Sequence, residues 1–259
     1  MPAALTRAVS PAIGCGELTH LSRVEIDYAR ACAQHAAYER ALADLGCEIV
    51  GLPAEPDLPD SVFVEDVALV LDDIAVILRP GAASRQAETP SVAKVLADYR
   101  ELALIGAPGT LDGGDILRAG TSVYVGCSER SNHTGIGQLA AALVPFGLRV
   151  IPLTVSGCLH LKSAVARVSP DTLLLNRQWV DPAQFRGMRV LDVDPGEPHA
   201  ANALLLGETV IYPASHPRTR ERLDTRGIAV QTVDVSELEK AEGAVTCCSI
   251  IFETAVRAR

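Results

Sequence analysis

The chain has 259 residues, 48% hydrophobic and 21% charged, with a formal net charge of −9 at pH 7 and a sequence pI near 5.2. This is the composition of a globular protein, long enough for one large domain or two small ones. It lacks the basic face that nucleic acid requires, and it has no apolar run near the roughly 18 residues that cross a bilayer.

Seven scattered cysteines, two of them adjacent, make a poor disulfide framework, and residues 1–14 carry no positive-then-apolar secretory pattern. Both point to a reducing, cytoplasmic setting. Leu5 to Val9 predicts a short strand, ended by Ser10-Pro11 and Gly14. Ile26 to Leu45 is Ala-rich with apolar residues at helical spacing, and Gly46 supplies its stop. Ile49 to Leu52 reads as a strand that breaks at Pro53, and an acidic, proline-punctuated loop runs on to Pro59. Four patterns of apolar run, polar turn and apolar run follow. Val67 to Leu71 turns at Asp72-Asp73 into Ile74 to Leu78. Ile116-Leu117 turns at Ala119 to Ser122 into Val123 to Val125. Ala164 to Ala166 turns around Pro170-Asp171 into Leu173 to Leu175. Ala203 to Leu206 turns at Gly207-Glu208 into Val210 to Tyr212. Each predicts a β-hairpin, and their starts recur at roughly 40 to 50 residues, a spacing of blades or repeats. Helical stretches fall between them: Pro90 to Tyr99 behind Thr89 as N-cap, Ile136 to Phe146, and Pro217 to Arg226 before Gly227. Cys248 to Phe252 predicts a strand that opens a fifth unit without a partner. The N-terminal strand can be that partner, closing a ring that leaves no sheet edge exposed. A plain α+β sandwich with similar hairpins is the competing arrangement.

Polar residues fall at one place in each unit, just before or at the first hairpin strand. They are Asp60, Glu65 and Asp66 in the first, Asp112 to Asp115 in the second, His160 and Lys162 in the third, Asn202 in the fourth and Cys247 in the fifth. Under a pseudo-rotation these positions converge on one end of the axis. Each also has a plainer reading. His160, between two leucines, fits a hydrogen-bonded core residue. Glu65-Asp66, with no Lys or Arg adjacent, is costly to bury unless a cationic ligand relieves it. Gly113-Gly114 fits a turn capped by Asp115, or a close backbone approach to a ligand. Asn202 alone carries too little signal to use. The loops Arg79 to Arg85 and Ser128 to Asn132 are either solvated surface or arginine clamps for a carboxylate. Cys247 is either a small buried hydrophobe or a nucleophile activated by a positive neighbour. Alternation along a strand would turn Cys248 to the opposite face.

Cysteine, histidine and acid together permit nucleophilic catalysis, with a thiolate as attacker and His as acid and base. A zinc site on Cys247, His160 and a carboxylate lacks the Cys-x-x-Cys or His-x-x-x-His spacing that would support it. Adjacent cysteines also lack the spacer of thioredoxin-like redox motifs.

From about Leu18 to Phe252 the chain resembles the dimethylarginine dimethylaminohydrolases of the guanidine-modifying, or pentein, superfamily. The resemblance rests on Pro59-Asp60-Ser61-Val62-Phe63-Val64-Glu65-Asp66, Arg79-Pro80-Gly81, Leu111-Asp112-Gly113-Gly114-Asp115, Leu159-His160-Leu161-Lys162 and Thr246-Cys247-Cys248-Ser249, in that order. It implies an α/β fold, a five-bladed α/β propeller of ββαβ repeats forming a single catalytic domain over residues 1–259. It implies hydrolysis of Nω-methylated L-arginine to citrulline and a methylamine, with no metal or organic cofactor. In that scheme Cys247 attacks, His160 is acid then base, and Asp112 is the third catalytic position. Asp66 binds guanidinium, Glu65 walls the pocket, Arg85 and Arg130 grip the α-carboxylate, and Leu18 and Asp60 surround the α-amino group. Ala241 stands where relatives carry a larger aliphatic residue, so pocket size departs from the family pattern. A methylated arginine is the expected partner, nucleic acid and membrane are not, and a homodimer is left open. The alternatives are an arginine deiminase or citrulline-directed hydrolase of the same superfamily, and, from another class, a non-catalytic pentein binding protein.

Overall fold

The computed structural model describes residues 1–254. The chain enters with β1 (Pro2–Arg7), crosses over through α1 (Tyr28–Asp44) and returns as β2 (Glu48–Leu52). The second unit is β3 (Ala68–Val70), β4 (Ile74–Ile77), α2 (Thr89–Leu96) and β5 (Glu101–Leu104). The third is β6 (Ile116–Ala119), β7 (Ser122–Cys127), α3 (His133–Leu143) and β8 (Arg149–Thr154). The fourth opens with the single turn α4 (Leu161–Ala164), followed by β9 (Val165–Ser169), β10 (Thr172–Leu175) and β11 (Arg189–Asp192). The fifth is β12 (Leu204–Leu206), β13 (Thr209–Pro213), α5 (Pro217–Thr225) and β14 (Ala229–Val233), and the chain ends with α6 (Ser236–Glu239) and β15 (Ile250–Glu253).

These strands form five three-stranded sheets of one design. In each, an antiparallel hairpin is extended by a parallel third strand, as in β3–β4–β5 and β6–β7–β8. The sheet that holds β1 is assembled from both ends of the chain. There β15 pairs antiparallel with β1, Leu5 opposite Ile250, and β2 adds in parallel. The ring read from the hairpins is therefore the observed architecture, a five-bladed α/β propeller. The first strands of neighbouring blades approach one another around the axis, β15 beside β3 and β9 between β6 and β12. Crossover helices pack outside. Tyr38 and Leu42 of α1 are fully buried against Ile211 and Val233 of the neighbouring blade, each such side chain stabilising the ring by about 1.5–3 kcal/mol.

Several boundaries differ from the sequence expectation for local reasons. Asp27 accepts a hydrogen bond from the Arg30 amide, so α1 starts there and not at Ile26. Thr89 does not cap α2. A 3-10 turn over Ala83–Glu88 already leads into that helix, and the Thr89 hydroxyl donates to the Gln86 carbonyl. The cap of α3 is Asn132, which accepts from the Gly135 amide at 2.8 Å and starts the helix at His133. The last strand begins only at Ile250, so Cys247 and Cys248 sit in a turn ahead of it. Strand alternation therefore does not govern that pair. They still part, with Cys248 fully buried and Cys247 half-buried.

Candidate active site

The residues that open the first strand of each blade meet at one end of the axis. Cys247 lies three residues before β15, in a turn anchored from below by Tyr38. That hydroxyl donates to the Val245 carbonyl and pairs with the Ser249 hydroxyl, each at 2.7 Å. The Cys247 carbonyl accepts from the Glu65 amide at 3.1 Å, tying the blade of β1 and β15 to the segment that enters β3. His160 precedes α4 in extended conformation. Its Nε2 is 3.0 Å from Asp112 Oδ2, and its Nδ1 lies 4.0 Å from Asp66 Oδ1. Asp112 is held in turn by the Gly81 amide at 2.8 Å.

Gly113 and Gly114 allow the blades to close this tightly. A Cβ on Gly114 would stand 2.5 Å from His160 Nδ1, and one on Gly113 would stand 1.9 Å from the Glu65 carbonyl oxygen. The glycines thus admit other parts of the protein, and the Gly114 amide donates to Asp66 Oδ1 at 2.9 Å. Asp115 does not merely cap that turn. Fully buried, it accepts from the Leu161 amide at 2.9 Å and from the Ser128 and Ser131 hydroxyls at 2.5 and 2.6 Å, which fixes the segment carrying His160.

The Glu65-Asp66 pair has cationic partners, drawn from elsewhere in the chain. Lys162 Nζ donates to Glu65 Oε1 at 2.6 Å, and the Thr246 hydroxyl to Oε2 at 2.9 Å. Asn202, too weak to single out in sequence, exchanges hydrogen bonds with Thr246 and reaches the Lys162 carbonyl. Arg85 donates to Asp66 Oδ2 at 2.6 Å, to both oxygens of Glu88, and to the Phe63 and Asp60 carbonyls. Sequence order concealed the Lys162, Thr246 and Asn202 partnerships because each joins different blades. The legible hints were that Lys162, Asn202 and Thr246 flank blade entrances and that Arg85 sits in a loop able to clamp a carboxylate.

Burial and charge set the protonation states. Burial pushes the Cys247 thiol up, and the Glu65 and Asp66 charges add to this, carrying it to about 12. Burial works to lower His160, but Asp66, the Asp112 hydrogen bond, Asp115 and Asp112 overcome it and raise the imidazole to about 9. Burial likewise opposes ionisation of Asp66, yet His160, Arg85 and the Gly114 amide hold it near 2. Burial raises Glu65 despite Lys162. The resting site thus holds a neutral thiol beside an imidazolium ion and a carboxylate.

Asp66, Asp112 and His160 bring one ligand atom each within 4.8 Å of the others, the one such group among the described residues. Every carboxylate oxygen there already has a donor: Gly114 and Arg85 on Asp66, and Gly81 and His160 on Asp112. The cluster is satisfied by protein hydrogen bonds, and the cation it surrounds is the imidazolium.

Two compartments meet at Cys247 and His160. The smaller is walled by Asp60, Phe63, Asp66, Arg85, Arg130 and Ala241. The larger, about 260 Å³, runs past Lys162 and Asn202 to His199, whose ring is 5.0 Å from that of Trp179. The loop of residues 14–25 lies over the mouth. Its Glu17 amide donates to Asp60 Oδ2 at 2.9 Å, and Arg130 donates to the Thr19 hydroxyl at 3.0 Å. Of the residues singled out in sequence, Cys247, His160, Asp60, Asp66, Arg85, Arg130 and Ala241 line the compartments. Asp112 and Glu65 stand behind that wall, and Leu18 sits half-buried in the loop without lining either space.

No family model matches the chain. It is 42% identical over 249 residues, 95% of each chain, to the N(G),N(G)-dimethylarginine dimethylaminohydrolase of Streptomyces coelicolor. It is 39% identical over 228 residues to the enzyme of that name from Pseudomonas aeruginosa, covering 87% of this chain and 90% of that one. A Cys→Ser mutant of the Pseudomonas aeruginosa protein, solved with citrulline, superposes with a TM-score of 0.92 at 36% identity over 96% of this chain and 98% of that chain. The N-terminal domain of the cyanobacterial arginine dihydrolase ArgZ shares the fold at a TM-score of 0.84 and 18% identity, covering 97% of this chain and 98% of that chain. With its site assembled from the five blade entrances and such identity spread over nearly its whole length, the chain belongs to the dimethylarginine dimethylaminohydrolase family.

Proposed function

We propose that the chain hydrolyses Nω-methylated L-arginine to L-citrulline and a methylamine through a covalent intermediate on Cys247. The observation that carries this reading is the thiol itself, held neutral at about 12 beside the buried Asp66 and Glu65 carboxylates, at the junction of two compartments. Such a thiol stays protonated until a further cation comes to rest against those carboxylates. A guanidinium against Asp66 supplies that cation, favours the thiolate, and is kept protonated so that its carbon accepts the attack. The Cys247 thiol gives up its proton to solvent as its sulfur bonds to the guanidinium carbon, which gives a neutral tetrahedral adduct. His160, an imidazolium below about 9, protonates the departing methylamine as the carbon–nitrogen bond breaks. The neutral imidazole then takes a proton from water, which attacks the thiouronium carbon. Collapse of that adduct releases citrulline and returns the thiol. Asp112 orients the imidazole throughout.

The amino-acid end fits the smaller compartment. Arg130 forms no ion pair among the described residues, which suits it to an α-carboxylate, and Asp60 suits an ammonium. The fork of Arg85 is spent on Asp66, Glu88 and two carbonyls. This favours a role in fixing Asp66 over a direct grip on the α-carboxylate. Leu18 belongs to the loop that meets Asp60, Glu65 braces the floor through Lys162, and Ala241 leaves room beside the substrate chain. Residues from all five blades serve the site, so residues 1–259 act as one catalytic unit. Seven free thiols support a reducing, cytoplasmic setting, and no helix among the described residues is long and apolar enough to cross a membrane. The names of the relatives support the reaction, as do Pseudomonas aeruginosa structures holding citrulline and a related enzyme's adduct with S-methyl-L-thiocitrulline.

The test is turnover of asymmetric dimethyl-L-arginine, monomethyl-L-arginine and L-arginine side by side, scoring citrulline and the released amine. Citrulline from the methylated substrates alone is expected. It should be abolished in Cys247→Ser and largely kept in Cys248→Ser. Turnover of L-arginine alone would make the protein a deiminase, and no turnover of any substrate would overturn the reading.

A further inference from the structure

The loop of residues 14–25 is gripped at its tip by a side chain that no step of the proposed reaction uses. Three consecutive backbone N–H groups, those of Thr19, His20 and Leu21, donate to the Glu242 carboxylate at 2.9, 2.5 and 2.6 Å. Successive amides converging on one anion form a nest, and hydrogen bonds to a charged acceptor are the strong ones. Glu242 is held to this task by its backbone. It is the one non-glycine residue with positive φ among the described residues, at 59°, a conformation that costs energy and persists where surrounding structure enforces it. The enforcement is visible next door, where a Cβ on Gly243 would stand 2.1 Å from the Phe63 ring. Glu242 also lines both compartments, five residues before Cys247.

The Ser84 hydroxyl donates to the Glu17 carboxylate and Lys240 to the Glu25 carbonyl, fastening the two ends of the loop, while its two remaining holds differ in kind. The Glu17 amide rests on Asp60, and the Thr19 hydroxyl on Arg130. Those are the two groups that the substrate's ammonium and carboxylate would claim. When they turn to the substrate, the loop loses those contacts while its hold on Glu242 remains. We infer that Glu242 is the clasp that keeps loop 14–25 shut over the bound amino acid, and is thereby a positioning residue for the reaction proposed above, on which this inference rests.

Two readouts test it, one independent of turnover. Arg23 lies in the loop, its guanidinium bound to the Gly14 and Gly16 carbonyls, so trypsin cleavage after Arg23, scored by fragment mass, reports loop opening. Glu242→Gln keeps the shape and removes the charge. Glu242→Gly removes the carboxylate while suiting the left-handed backbone, so the thermal midpoint should not fall. Both variants should be cut after Arg23 about tenfold faster or more, with and without L-citrulline, and should lose about tenfold or more in kcat/KM with most of the loss in KM. Glu242→Asp, which retains the charge, should recover most of both. Wild-type cleavage rates and KM in Glu242→Gln and Glu242→Gly would overturn the clasp. If the wild-type protein turns over no methylated arginine, the proposed function falls, and the trypsin readout still decides whether Glu242 holds the loop.

Discussion

At the scale of single residues, His160 shows how far a folded environment can move a group. Burial alone would keep it neutral, yet Asp66, Asp112 and Asp115 raise it from 6.5 to about 9. A group whose folded pKa is raised stabilises the native state fully below its unfolded value and loses that contribution as pH rises through the folded one. The thermal midpoint should therefore fall between pH 6.5 and 9, and the fall should shrink in His160→Asn. An identical pH profile in the variant would show that the imidazole is not charged in the folded protein. Little of this environment was legible in the sequence. Asp66, Asp112 and His160 stood out as chemistry-bearing types at corresponding points of the repeat. Arg85 and Lys162 stood out too, but which acid each would pair with did not, because Arg85 reaches Asp66 from a 3-10 turn and Lys162 reaches Glu65 from another blade. Side-chain partnerships between distant segments leave no local pattern.

At the scale of elements, the hairpins were readable because two apolar runs around a polar turn have few other ways to hide their faces. The segments ahead of them were not. The Gly243 to Ser249 stretch passed for the mouth of a strand, whereas Tyr38 and the Glu65 amide hold it as a turn that presents Cys247. Gly113-Gly114 fitted either a turn or a close approach to a ligand, and in the fold the pair also makes room for His160 and the Glu65 backbone. That close fit is testable. In Gly114→Ala the new methyl group must displace the imidazole, and misplacement of a reacting group by about 1 Å costs on the order of 100-fold in rate. A loss of that size in kcat with little change in KM is expected, and wild-type kcat would show that the imidazole can shift without cost.

At the scale of the whole molecule, the ring closes through β1 and β15, so the catalytic turn is braced by the first strand of the chain. Leu5 is fully buried and pairs with Ile250, three residues beyond Cys247. Leu5→Ala should cost about 2–5 kcal/mol in a denaturant titration, and activity should disappear along the same curve as the fold. Activity that outlasts the fold, or an unchanged midpoint, would mean that closure is not shared. Closure was the most legible global feature, since an unpaired fifth strand and an unpaired first strand left one economical solution. The loop over the mouth was the least legible, for most of its holds, on Glu242 and Asp60, are made by backbone amides, which every residue but proline owns. By gathering carboxylates from its blades onto one thiol, the ring also governs how Cys247 meets oxidants. Peroxide takes thiolates and spares thiols, so between turnovers the nucleophile is shielded from conversion to sulfenic acid by the same field that awaits a cation. In the reaction proposed above, the thiol sheds its proton when a guanidinium lies against those acids, and the substrate then fills the compartment beside the sulfur.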